Sequence, residues 1–327
     1  MINGTAFMSG IAGLLVEESK RIVDIATRFA AASLEVLEGF DDSLHPVLHG
    51  VRPHSGQIEI AKRMKQLLRG SSRLHDRTQF AKKILLKADV YQIPESVQEV
   101  YSIRCTPQIL GPIFDTLSHA SQVTRIEINS VTDNPIVDVA HKRFLHGGNF
   151  HGDYIATAMD QLKAGIVKLT MLSERRVNFF LNANVNKTYT PFLNIHKPGL
   201  SLALQALQFT ATSTTAMSQS LAMPHTIHSI STNADNQDVV SMGTDAALLA
   251  QKTIENDYVV LEIEAITISQ AIDITKAQRT LSPETLRMYK TVRHVFPVIK
   301  NDRVVIEQLS HVMRVLQTDN LFLAQWL

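Results

Sequence analysis

Four polar clusters in this 327-residue chain combine residue types that do chemistry. In "SVQEVYSIRCTPQ", Gln98, Tyr101 and Arg104 stand at i, i+3 and i+6, which on a helix sets an amide, a phenol and a guanidinium along one side. A phenol moves protons, and a guanidinium offers a planar fork to a carboxylate. Taken alone, a tyrosine and an arginine so spaced are more often a surface pair. The opening "MINGTAF" places Asn3, Gly4 and Thr5 directly before an apolar run, where such a trio normally makes a turn or cap. A third cluster joins "SVTDNPIVD", with Asx and proline turn chemistry, to "FLHGGNFHGDY", which carries Asn149 and Phe150. His146 and His151, with His225 and His228 in reserve, raise a metal reading. Their spacing is not that of a zinc signature and no Cys or Glu completes it, so no metal is assigned. Paired glycines before an aromatic residue instead permit close backbone approach. The fourth cluster, "SISTNADNQDVVSMG", contains Gln237; its Asp and Asn residues read in isolation as a helix N-cap.

The elements that must position these groups are helical. Residues 11–39 are rich in Ala, Leu, Val and Glu and close at Gly39. Ser55 leads "GQIEIAKRMKQLL", a short amphipathic helix ending at Gly70. "SSRLHDRTQFAKK" is polar and reads as a mobile loop. Residues 153–181 run without proline for a helix of about 45 Å, and a second long run covers 237–274. Within it "LEIEAITISQAIDI" alternates apolar and polar, a strand signal on its own, but the uninterrupted run before it favours helix. Residues 198–234 hold no Asp, Glu, Lys or Arg, yet their Ser, Thr and Gln make them too polar for a membrane span. They read as a helix buried on all sides, within a bundle or between subunits. The fold class is mainly α. No repeat, low-complexity linker or obvious domain boundary breaks the pattern.

Thirty-two Lys and Arg against thirty-one Asp and Glu give a net charge of +1, with no basic cluster to draw nucleic acid or an anionic membrane surface. The single cysteine, Cys105, rules out an internal disulfide framework and fits a cytoplasmic, reducing setting. Residues 1–16 are apolar but lack a basic lead and are broken by Gly4, Gly10 and Gly13, so they are not read as a signal peptide.

In order along the chain, "INGTAF", "YSIRCTPQILGP", "TDNPI", "HGGNFHGDY", "SERR", "TPFL" and "SISTNADNQDVVSMG" resemble the aromatic amino acid ammonia-lyase family, which includes histidine, phenylalanine and tyrosine ammonia-lyases and related aminomutases. The resemblance extends from the first residue to about Ile274, with a weaker helical tail after it, and is nearest to bacterial tyrosine ammonia-lyases; it implies a central helical-bundle part over residues 1–280 and a C-terminal helical tail over residues 281–327. It implies a helical bundle of the fumarase and aspartase type and a homotetramer whose active sites each draw on three subunits. It also implies elimination of ammonia from an aromatic amino acid to give a trans-2-enoate. The family's prosthetic electrophile is 4-methylideneimidazole-5-one, cyclised from an internal Ala-Ser-Gly; it engages the poorly leaving amine while a tyrosinate takes the proton.

By motif, Asn3 resembles the asparagine beside the electrophile and the substrate carboxylate. Arg104 resembles the carboxylate-binding arginine, Tyr101 the tyrosine facing the electrophile, and Gln98 the glutamine close by. Phe150 resembles the aromatic packed on the prosthetic group, with Asn149 beside it in the same contact zone. Gln237 holds the position that is glutamate in typical histidine lyases and glutamine in phenylalanine and tyrosine lyases. Departures exist: Glu99-Val100 replaces Asp-Pro, Thr190-Pro191-Phe192 replaces Pro-Pro-Phe, and "GLSLA" replaces Gly-Leu-Asn-Ser-Gly.

The largest departure is at the start. In the family Asn-Gly-Thr is internal, and the preceding part supplies the Ala-Ser-Gly, the catalytic tyrosine's loop and the ring-selecting segment. No Ala-Ser-Gly occurs in these 327 residues; "MSG" and "HSG" lack the alanine. The chain therefore reads as the C-terminal part of a lyase, Met1 being an internal methionine or the first residue of a second fragment, and a separate N-terminal fragment is an expected partner. Alone it is expected to be inactive. Expected for the complete enzyme is tyrosine or phenylalanine as substrate, with histidine ammonia-lyase or tyrosine aminomutase as alternatives. An inactive oligomerising fragment or pseudoenzyme is the reading of another class. The fumarase and aspartase signature itself fails, because His225 and Ile227 stand after Met223-Pro224 where Lys and Asn belong.

Overall fold

The computed structural model describes residues 3–81, 85–87, 90–92, 98–196 and 199–323, without the side chains of 80–97. Helices follow in the order α1 (Ala6–Val36), α2 (Pro46–Gly50), α3 (Ser55–Leu67), α4 (Arg77–Ala81), α5 (Tyr101–Arg104), α6 (Thr106–Glu127), α7 (Asp153–Leu181), α8 (Ala183–Asn186), α9 (Gln205–Leu221), α10 (Gly243–Thr275), α11 (Pro283–Val295) and α12 (Ile306–Thr318). Between them lie two antiparallel pairs: β1 (Leu85–Lys87) with β2 (Val90–Gln92), and β3 (Ile136–Asp138) with β4 (Arg143–Leu145), the latter registered with Ile136 opposite Leu145. The mainly α class is borne out.

Four long helices, α1, α6, α7 and α10, make the core, and α7 against α10 is its most extensive pairing. Their apolar residues recur every three or four positions, as Ile155, Met159, Leu162, Ile166 and Leu169 do on α7, so each helix turns a stripe inward. In α10, residues 260–272 are all buried, which explains the misleading alternation there. The polar members of that pattern are not a wet face. Thr267 and Ser269 donate back to the carbonyls of Ile263 (2.7 Å) and Ala265 (2.8 Å), and Glu264 pairs with Arg176 of α7. Gln270 donates to the Ile299 carbonyl at 2.8 Å. A helix buried all round can carry any pattern whose polar groups find partners.

Glycine permits a close crossing of α3 and α6. A Cβ on Gly56 of α3 would overlap the carbonyl oxygen of Gly111 on α6, and one on Gly111 would lie 2.5 Å from the Gln57 nitrogen. The tail also joins this core: Ser282 caps α11 by accepting from the Thr285 amide at 3.2 Å, and its hydroxyl donates to the buried Glu35 of α1 at 3.1 Å. Phe322 meets Phe29 edge-on, with ring centroids 6.2 Å apart.

Three sequence readings shift. Within the polar stretch after Gly70, residues 73–77 are tied to their surroundings, and residues 82 and 83 lie outside the described residues: Arg73 donates to the carbonyls of Glu35 and Val36 (both 3.3 Å), and Arg77 pairs with Asp42 at 2.9 Å while covering the Phe40 ring. The charge-free run is helical only across α9, and within this chain only Leu207, Ala211, Thr215 and Ser218 of α9 are buried. Residues 222–242 form irregular chain, so α10 starts at Gly243 rather than at Gln237.

Candidate active site

Asn3 is held by its neighbours. Gly4 takes φ +76°, and a Cβ there would overlap the Thr132 carbonyl oxygen, so only glycine allows this turn to lie against the 130s segment. Thr5 is fully buried and donates to Glu127 at the end of α6 (2.7 Å), and its carbonyl accepts from the Ser9 hydroxyl. Asn3 itself stays exposed. The adjoining cavity, of about 430 Å³, is lined by Glu127, Thr132, Gly148, Asn149, His151 and Tyr154, among others. Asn149 donates to the Val131 carbonyl at 3.4 Å. Cβ atoms at Gly147 and Gly148 would meet nothing within 4 Å, so the backbone there is open, and Phe150 beside it is 39% exposed.

The loop bearing Gln237 comes to the same end of the molecule. His151 bonds the Val239 carbonyl at 3.2 Å, and the Met8 side chain fills the gap between Gly152 and Gly243, where a Cβ on either would overlap its sulfur. Asn233, Ala234 and Asp235 are all left-handed (φ 51°, 52° and 63°), with the Ser231 hydroxyl donating to Asp235 at 2.5 Å. The reading of this stretch as a helix cap is therefore corrected: the cap position of α10 is Met242, which makes no side-chain bond, and the Asn and Asp residues build a turn instead. Gln237 and Thr232 exchange backbone hydrogen bonds, and the Thr232 hydroxyl donates to the Gln237 amide oxygen at 3.2 Å. Behind the loop, buried Lys163 of α7 donates to Asp160 (2.7 Å) and to the Met223 carbonyl (2.8 Å). Asp160 in turn accepts from the amides of His225 (2.7 Å) and Thr226 (2.9 Å). Sequence reading missed this clamp; Asp160 and Lys163 at i, i+3 in an otherwise apolar stretch were its signal. His225 and His228 stack edge-on in the same loop, and the described residues hold no group of three or more side chains able to bind a metal.

Gln98, Tyr101 and Arg104 come together elsewhere. They line one open cavity of about 590 Å³ with Arg175, Asn178, Phe179 and Val185. Only Tyr101–Arg104 is helical; Gln98 lies in the bend before it, so the three share a cavity rather than a helix face. Arg104 donates through Nε to the Glu99 carbonyl (2.8 Å) and lays its guanidinium over the Tyr101 ring, 4.8 Å from the centroid. That fixes the fork and leaves its Nη pair as a carboxylate-binding edge. Glu99 is anchored by accepting from the Phe40 amide at 2.7 Å, so the departure from Asp-Pro at 99–100 has a structural partner. Tyr101 is 69% exposed.

The two groups sit at opposite ends of α7. Asn149, Phe150 and His151 immediately precede its first turn, whereas the Tyr101 cavity is lined by Asn178 and Phe179 near its last. From Asp153 to Asn178 the helix rises about 37 Å. No single copy of the chain closes all seven residues around one small molecule. "SERR" belongs to the frame between them: Arg176 and Glu264, both fully buried, tie α7 to α10 through a bidentate pair (3.1 Å for the Nη2 contact).

Comparisons with known proteins bear on the family and the fold. The aromatic amino acid lyase family model matches residues 1–294. A tyrosine ammonia-lyase of Cupriavidus metallidurans is 34% identical over 97% of this chain and 60% of its own length, and a histidine ammonia-lyase of Caldanaerobacter subterraneus is 35% identical over 94% and 57%. The crystal structure of a tyrosine aminomutase from Streptomyces globisporus superposes with a TM-score of 0.94 at 33% identity, covering 99% of this chain and 62% of that one. The chain thus spans about 60% of the length of the curated relatives it matches. With fold, ordered motifs and relatives in accord, the chain belongs to the aromatic amino acid lyase family.

Proposed function

We propose that this protein supplies the carboxylate- and ring-contacting residues of an enzyme that eliminates ammonia from tyrosine or phenylalanine to give a trans-2-enoate. The observation that carries the reading is the separation of the two residue groups along α7: each is half of a site, to be completed by another copy in a homotetramer. Arg104 then binds the substrate carboxylate through its Nη pair, with the Tyr101 hydroxyl beside it and Gln98 on the same wall. Asn3, Asn149 and Phe150 form the opposite half, where two amides, an aromatic ring and an open glycine backbone suit a flat polar heterocycle such as 4-methylideneimidazole-5-one. That group, when present, makes the amine a leaving group; its Ala-Ser-Gly precursor lies outside these 327 residues. Gln237 is a neutral amide, and a phenyl or phenol ring asks for no carboxylate partner, whereas a charged imidazole does.

Histidine deamination and tyrosine aminomutation are the alternatives within the family, and an oligomerising subunit with no chemistry of its own is the alternative of another class. The chain expressed alone should give no enoate absorbance. Coexpressed with an N-terminal lyase half bearing Ala-Ser-Gly, it should turn over tyrosine or phenylalanine with a higher specificity constant than histidine, and Gln237→Glu should shift the preference toward histidine. Arg104→Ala in the complemented enzyme should lower kcat/KM at least a hundredfold, about 2.7 kcal/mol. Activity of the chain alone, or histidine as the best substrate, overturns the proposal. Mass spectrometry of the native protein, seeking a copurifying chain with Ala-Ser-Gly minus two waters, separates the enzyme from the inactive subunit.

A further inference from the structure

A cavity of about 600 Å³ shares no lining residue with either half of that site. It is enclosed by the segment from Asp41 to Gly50, one face of α3 and Leu74. The floor is apolar: Leu44, Ala61 and Leu68 are each at least 95% buried while lining it. Lys62 and Lys65 of α3 and Arg69 just past its end border the cavity, opposed by one lining carboxylate, Asp41. Lys62 is shared with Glu59 at 3.2 Å; Lys65 and Arg69 have no ion-pair partner among the described residues.

The wall is preformed. His49 is buried, and burial lowers its pKa, so its ring is neutral near pH 7. Nε2–H donates to the Ser43 carbonyl (3.1 Å), and Nδ1 accepts from Gln57 of α3 (3.0 Å). The Gln57 oxygen accepts in turn from Arg52 at 3.5 Å. Together with the glycine-tight seat of α3 on α6, this chain of bonds fixes the distance between α2 and α3 across the cavity.

A cavity of this volume is in the range that holds small molecules, and its chemistry is that of an apolar body with one anionic end. We infer that it binds an amphipathic monocarboxylate, seated with its hydrocarbon or ring against Leu44, Ala61 and Leu68 and its carboxylate between Lys65 and Arg69. An arylacrylate and a medium-chain fatty acid share this chemistry. The site is separate from the proposed reaction and does not depend on it.

Isothermal titration calorimetry of the full chain with trans-cinnamate, and separately with decanoate, tests the inference. At least one should bind saturably, and the acid that saturates identifies an aryl or an alkyl occupant. Lys65→Glu/Arg69→Glu, two exposed positions whose change leaves helix content intact by circular dichroism, should weaken binding at least tenfold, and so should raising NaCl from 50 to 500 mM. Ala61→Phe, which fills the floor, should abolish binding, whereas Arg104→Gln should leave it unchanged. Absence of binding by both acids, indifference to charge reversal, or loss of binding in Arg104→Gln overturns the inference; the last result would place the ligand at the Tyr101 cavity.

Discussion

Among single residues, Asp257 stands out because its surroundings oppose its charge. It is fully buried on α10; burial, opposed in part by the hydrogen bond from Thr170 (2.7 Å), pushes its carboxyl up to about 8, and Oδ2 has no partner. Burial alone pushes nearby Glu262 to about 8 as well. The folded state therefore holds protons that the unfolded chain releases near pH 4, so these groups stabilise fully below that pH and their contribution is lost as pH rises toward 8. Asp257→Asn keeps the Thr170 contact and removes the ionisation. Stability of the variant should match the wild type below about pH 4 and exceed it increasingly from pH 4 to pH 8, by a few kcal/mol, with a constant gap above. A gap independent of pH would refute the assignment. None of this was legible in the sequence, where Asp257 is an ordinary acid in a helical run; its burial comes from α7 packing across it. Asn3, Arg104 and Gln237 were legible only through the order of their motifs, since each alone has the common reading of a turn, a surface pair or a cap.

At the scale of elements, α7 and α10 are joined by Arg176 and Glu264, both without solvent access. Removing one partner strands the other charge, whereas removing both leaves apolar volume, and the two outcomes differ in sign of coupling. Arg176→Met should cost about 3–5 kcal/mol in denaturant unfolding, and Arg176→Met/Glu264→Leu should recover most of it. Additive losses in the double variant would show that the pair itself, rather than the uncompensated charge, stabilises the crossing. The bounds of α7 were legible to the residue, because Leu181 is followed by Asn182, which caps the next helix by accepting from Asn184 (3.2 Å). The start of α10 was not. Residues 237–242 look helical until one sees that Met242 is left-handed and that Gly243 must make room for Met8 of α1, a contact set by packing across more than 200 residues of sequence.

For the molecule as a whole, α9 poses the decisive question. The run 198–234 contains no Asp, Glu, Lys or Arg, yet α9 buries only one stripe against α7 and α10, fixed by Thr212 to Glu174 (3.0 Å) and Asn256 to Ser218 (3.1 Å). Its outward face presents Phe209, 64% exposed, and Met217, 54% exposed, among alanines, serines and threonines. A solvent-facing helix without charge in a chain that is 19% charged is a surface meant to be covered. Small hydroxyl residues let a second helix approach closely while satisfying their own hydroxyls on i−4 carbonyls, as Thr210 and Ser220 do. Light scattering at micromolar concentration should then report a mass well above 36.4 kDa for the chain, with a tetramer as the end state. In a symmetric contact each substitution is met twice, and each buried aromatic or Met side chain contributes about 1.5–3 kcal/mol. Phe209→Asp or Met217→Asp should therefore dissociate the assembly to smaller species while leaving helix content unchanged, because neither side chain belongs to the buried stripe of α9. A wild-type chain that is monomeric and soluble at that concentration would remove the support for a site shared between copies.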